Sequence, residues 1–107
     1  MVSPQSFAEI AMTLEGTVSA PHFDRTAFKV KRTFATLAAD GKSANLKLTP
    51  DEQEFHCMMN ATAYAPVAGG WGAQGWTTVD LGEISGEELA TALETAWHHA
   101  LPVRRKR

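Results

Sequence analysis

Apolar residues recur with a helical period in three stretches of the chain and alternate with polar ones in four others. In the first stretch Phe7, Ile10, Ala11 and Leu14 stand at i, i+3, i+4 and i+7, which predicts a helix over residues 4–14 with one buried face. Ser3 is placed to cap it, and Pro4 suits the first helical position because it has no amide to satisfy. Residues 16–26 hold Pro21, His22, Phe23 and Asp24 without a sustained period and read as an ordered connection. From Ala27 the period shortens to two. Phe28 and Val30 oppose Lys29 and Lys31, Thr33 to Leu37 follow, and past the Asp40-Gly41-Lys42-Ser43 turn come Asn45 to Leu48. These predict three strands of an antiparallel meander.

Thr49-Pro50-Asp51-Glu52 supplies a helix cap, a first-position proline and the reciprocal glutamate of a capping box, so a helix is expected to about Asn60 with Phe55 and Met58 or Met59 toward the core. Residues 69–81 carry Trp71, Trp76 and four glycines, and read as a shaped loop feeding a fourth strand whose apolar side is Thr77, Val79 and Leu81. Trp76 is expected to pack in the core or at its rim, and Trp71 to be the freer of the two. Ser85 and Glu88 form a second capping box with Ile84 stapled to Leu89, opening a last helix over 86–100. Pro102 stops that helix. The order α-β-β-β-α-β-α predicts an α+β fold, an antiparallel sheet with helices packed on one face.

With 107 residues, 44% of them apolar, the chain can build one modest core, expected to span residues 1–103 and leave a basic tail over 104–107. Its single cysteine, Cys57, rules out an internal disulfide framework. There is no basic, apolar leader and no apolar run of membrane-spanning length, so a cytoplasmic protein without a membrane partner is expected. A net charge of −2 hides a partition. Residues 25–47 concentrate Arg25, Lys29, Lys31, Arg32, Lys42 and Lys47 against one acid, residues 48–103 contain acids and no Lys or Arg, and the chain closes on Arg104-Arg105-Lys106-Arg107. Segregated charge suits an acidic or polyanionic partner, although exposed charge also serves as solvated surface.

No reactive constellation stands out. His56-Cys57 and His98-His99 are adjacent pairs pointing about 100° apart on a helix, without zinc-site spacing, and Cys57 reads as a small packed side chain. The glycines of 69–75 lack the lysine and hydroxyl of a phosphate loop and the context of a dinucleotide fingerprint. No catalytic residue, cofactor or metal site is expected.

His22-Phe23, Ala27-Phe28-Lys29-Val30, Phe34-Ala35-Thr36-Leu37, Leu46-Lys47-Leu48-Thr49-Pro50-Asp51-Glu52, Gly75-Trp76-Thr77-Thr78-Val79-Asp80-Leu81 and the Ala96-Trp97 helix resemble, in that order, the MmcQ/YjbR family. The resemblance implies a small α+β domain with an architecture similar to frataxin/CyaY and, by analogy with a double-wing arrangement, DNA binding. Family members often have glycine in the first hairpin reversal, where this chain has Lys31-Arg32-Thr33. The resulting expectation is a non-enzymatic DNA-binding protein in which Arg25, Lys29, Lys31, Arg32, Lys42, Lys47, Arg104, Arg105, Lys106 and Arg107 contact phosphates. The alternatives are a protein-interaction domain that uses Trp71 and Gln74 of the Trp-Gly loop, and a frataxin-like metal-handling protein, for which the first helix offers only Glu9 and Glu15.

Overall fold

A computed structural model describes residues 1–102. Helix α1 spans Pro4–Thr13, followed by strands β1 (Val18–His22), β2 (Arg25–Lys29), β3 (Thr33–Leu37) and β4 (Ser43–Lys47). Helix α2 (Pro50–Met59), strand β5 (Tyr64–Pro66), the short helix α3 (Gly70–Ala73), strand β6 (Trp76–Asp80) and helix α4 (Gly86–Ala100) complete the order. The six strands form one sheet in the order β1-β2-β3-β4-β6-β5, every neighbouring pair antiparallel.

Helices α1 and α4 lie against one face of that sheet. The Phe7 and Phe28 rings meet edge to face at 5.6 Å, fastening α1 to β2. From α4, Leu89, Ala92, Leu93, Ala96 and Ala100 enter the core with Phe34, Ala35, Ala44, Leu46 and Val79. Small alanines let the helix backbone approach the sheet closely, and Trp97 ties its outer side to the end of α1 by donating its indole N–H to the Glu15 carbonyl at 3.0 Å. The expected alternation in β6 holds: Thr77, Val79 and Leu81 are buried. The reversal at Val30-Lys31-Arg32 is accommodated by a bulge. Phe28 pairs with Ala35 and Lys29 with Thr33, leaving Phe34 as the extra residue, so Phe34 and Ala35 are consecutive yet both fully buried.

The helix caps follow their sequence signals. Ser3 Oγ accepts from Ser6 N at 3.0 Å, Thr49 and Glu52 form the full reciprocal box at 3.1 and 2.9 Å, and Ser85 Oγ accepts from Glu88 N at 3.1 Å. The second box is half-formed, because the Glu88 carboxylate turns to the Asn60 amide. Glu52 also meets His99 Nε2 at 2.9 Å, which joins α2 to α4. Partial burial pushes the Glu52 carboxyl up, but the Thr49 amide and His99 together outweigh it and hold it below its ordinary value. A carboxylate depressed in the folded state contributes stability that is present above the unfolded pKa and is lost as pH falls through the folded one. Wild type should therefore lose about 0.5–1 kcal/mol more than Glu52→Gln between roughly pH 6 and pH 3, read from urea midpoints; the contribution is small because the pair is a third exposed.

Besides the short helix α3, which lies in the stretch expected as a loop, three features depart from the sequence reading. Residues 18–22, expected as a connection, form β1, and residues 64–66 form β5. Both are outer strands of the sheet, β1 without a buried residue, and each carries a proline, Pro21 and Pro66. With little or no buried face they have no alternation to display. The third is α2, where Phe55, Met58 and Met59 face outward at 53, 72 and 67% exposure and no residue is fully buried. Its inner side is formed by the half-buried Glu52, Gln53, His56 and Cys57, of which Cys57 touches the core and Gln53 Nε2 donates to the carbonyls of Gly72 and Trp76 at 3.0 and 2.9 Å, anchoring the Trp loop.

Candidate functional site

The sheet face away from α1 and α4 is polar and partly open, and its register assembles a small cavity at its centre. Thr36 pairs with Asn45 and Asn45 with Thr78 across β3, β4 and β6, so the three side chains form a row on this face. Thr78 donates its hydroxyl to Asn45 Oδ1 at 2.9 Å. Arg25 reaches in from β2, donating from Nε to Thr36 Oγ1 at 2.8 Å and from Nη2 to the Thr36 carbonyl at 3.2 Å. His22, opposite Arg25 in the β1–β2 hairpin, completes the polar part, while Val67, Trp71 and Trp76 close the other side around about 200 Å³.

The tryptophans are positioned by glycine backbone. A Cβ on Gly72 would stand 1.8 Å from the Val67 carbonyl oxygen, and one on Gly75 the same distance from that of Leu48, where Gly75 also holds φ at +108°. Only glycine lets the segment fold this tightly. Trp71 stands 63% exposed on α3, while Trp76 is half-buried. Trp76 also lines a second groove, with Arg32, Thr33, Lys47 and His99. Trp76 is thus common to a cavity lined by Arg25 and Asn45 and a groove lined by Arg32 and Lys47.

Beside the cavity, the β1–β2 hairpin turns on Phe23-Asp24. Phe23 is 94% exposed and holds φ at +57°, a left-handed conformation that costs a side chain other than glycine about 1–2 kcal/mol. Its ring meets that of His22 edge-on at 4.8 Å. An aromatic group held in a strained turn and given to solvent gains nothing for the core.

The basic residues singled out in the sequence fall into separate groups. Lys29, Lys31, Arg32 and Lys47 gather at one end of the sheet, where β2 and β4 finish and β3 and β6 begin. Arg25 lies on the open face. Lys42 occupies the turn at the opposite end, beside Asp40 and Asp80. Lys47 is partly occupied, its Nζ donating to the Gln74 carbonyl at 2.9 Å, which is also the structural role found for Gln74. Arg104, Arg105, Lys106 and Arg107 lie outside the described residues. Sequence reading did not single out Thr36, Asn45 or Val67. The first two show only as polar positions on strands, and strand register alone places them together.

Among the described residues no three metal-ligating side chains come together. Burial pushes the Cys57 thiol up, away from the thiolate a nucleophile needs. Burial, and after it the charge of Glu88, hold the Tyr64 phenol protonated. Among the described residues no helix is long and apolar enough to cross a membrane.

The family model YjbR matches residues 12–99, from the end of α1 to the last turn of α4. The chain belongs to the YjbR family. Two solved structures share its fold. The Deinococcus radiodurans protein DR2400, with a DUF419 domain, is similar at 21% identity and a TM-score of 0.76 over 90% of this chain and 76% of its own. A protein from Pseudomonas syringae is similar at 16% identity and a TM-score of 0.71 over 91% and 97%. No curated protein matches. At these identities the YjbR likeness to both structures is one of fold, and the open sheet face must be read from this chain's own side chains.

Proposed function

We propose that this YjbR-family protein is a non-enzymatic DNA-binding protein whose sheet end, formed by Lys29, Lys31, Arg32 and Lys47, contacts the phosphate backbone. The observation that carries the reading is the placement of these four residues, from β2, its turn and β4, at one end of the sheet, where Arg32 and Lys47 line one groove. Clustered Lys and Arg release condensed counterions from a nucleic acid and position it without reading its sequence. Residues 48–103, which contain acids and no Lys or Arg, oppose nonspecific adhesion of a polyanion over the other faces.

Anisotropy of labelled duplex and single-stranded DNA tests the reading. Binding at roughly 50 mM salt should weaken linearly on a log–log plot as salt rises, and the triple change Lys29→Gln, Lys31→Gln and Arg32→Gln should lower affinity about tenfold or more and flatten the slope by roughly 2–3. No measurable binding of either form of DNA at low salt sinks the proposal. The exposed Trp71 favours a second reading, a protein-interaction surface on the Trp-Gly loop. A stoichiometric protein complex that forms without nucleic acid and is lost in Trp71→Ala would support it over the first.

A further inference from the structure

We propose that the cavity between Trp71 and Trp76 seats one unpaired nucleobase, with its phosphate in the groove of Arg32 and Lys47 that Trp76 also lines. This deepens the DNA-binding reading and rests on it. Size is the first argument. At about 200 Å³ the cavity is below the roughly 300–1,000 Å³ usual for small-molecule sites, so it suits a single planar ring system. Two indoles wall it, and base-on-aromatic stacking is the common way a protein holds a base outside a helix. The backbone that carries the two tryptophans is held in advance, because Gln53 donates to the carbonyls of Gly72 and Trp76.

The polar floor narrows the ligand further. Arg25 is oriented by its two bonds to Thr36, which leave the rest of its guanidinium fork free to donate. Asn45 spends its oxygen on Thr78, so its amide NH₂ faces outward without an acceptor among the described residues. Donors therefore dominate, and they fit a base edge made of acceptors. Guanine presents two, O6 and N7, the pair a guanidinium grips in bidentate fashion, whereas adenine replaces one of them by an amino donor. The shared Trp76 supplies the link, since it lines both the aromatic donor cavity and the groove of Arg32 and Lys47, and a nucleotide carries its base and its phosphate on either side of a sugar. Phe23, exposed beside His22, is placed to stack on the next base along the strand.

Strands of equal length and charge isolate the base contribution from the phosphates. Abasic single strands carrying one central guanine, one central adenine or no base are compared by anisotropy and by quenching of tryptophan emission. The guanine strand should bind about tenfold more tightly than the fully abasic one and more tightly than the adenine strand, with quenching. Trp71→Ala should remove the advantage over the abasic strand, and Arg25→Lys, which keeps the charge but not the fork, should erase the preference for guanine over adenine. Equal, salt-dependent binding of all three strands by the wild type overturns the base site and leaves the phosphate reading standing. So does a guanine advantage that survives Trp71→Ala. If no strand and no duplex binds, both fall.

Discussion

Gly75→Ala should lower the stability of the protein by about 3–5 kcal/mol, a fall in Tm of roughly 15 °C or more for a chain of this size. Two independent costs combine. At φ +108° a side chain is strained wherever it points, and here the new methyl would stand 1.8 Å from the Leu48 carbonyl oxygen and 2.8 Å from its carbon. The neighbours are backbone and cannot rotate away. Any retreat of the loop also disturbs three bonds: Leu48 N to Gly75 O at 3.2 Å, Gly75 N to Gly72 O at 3.0 Å, and the buried Thr77 hydroxyl to Gly75 O at 2.9 Å. Gly86→Ala is the matched control. No atom lies within 4 Å of its added carbon and its φ is not positive, so alanine should be neutral or mildly stabilising at the start of α4. Thermal melts of the two variants that coincide would refute this account of the Trp loop.

The second large effect contrasts two phenylalanines. Phe34→Ala should cost about 3–5 kcal/mol and Phe55→Ala less than about 0.5 kcal/mol, measured as urea midpoints with unchanged m-values. Phe34 has no solvent exposure and is the extra residue of the β2–β3 bulge. Truncating it leaves a void under α4 that neighbours held by sheet hydrogen bonds cannot fill. Phe55 stands 53% exposed on a helix with no fully buried residue. Comparable losses from both substitutions would mean that α2 presents Phe55 inward.

That contrast shows where the sequence was readable. A residue pattern reports burial when one face of an element is covered, and so α1, β4, β6 and α4 were visible in their periodicity and the Thr49–Glu52 cap in its local chemistry. Phe55, Met58 and Met59 have the spacing of a core stripe, yet spacing alone does not say which side of a helix meets the protein. The inner side of α2 is instead held by Gln53 bonding to carbonyls 19 and 23 positions away, which no local window contains. Strand β1 was hidden for the opposite reason, since an outer strand solvated on both faces has no period. Of the candidate site, Trp71, Trp76 and Arg25 were legible as unusual residues. Their convergence with Thr36 and Asn45 depends on the register of four strands, and a shift of one residue in a strand would turn its contribution, Arg25, Thr36, Asn45 or Trp76, to the other face.

Pro21 and Pro66 have a consequence for assembly. They occupy β1 and β5, the two strands of the sheet that have a neighbour on one side only. An unpaired strand is a template on which another chain can build, and proline spoils the template by removing an amide and fixing φ. Both flanks of the sheet are therefore poor starting points for intermolecular strand addition. Copies of the protein can crowd together without zipping edge to edge.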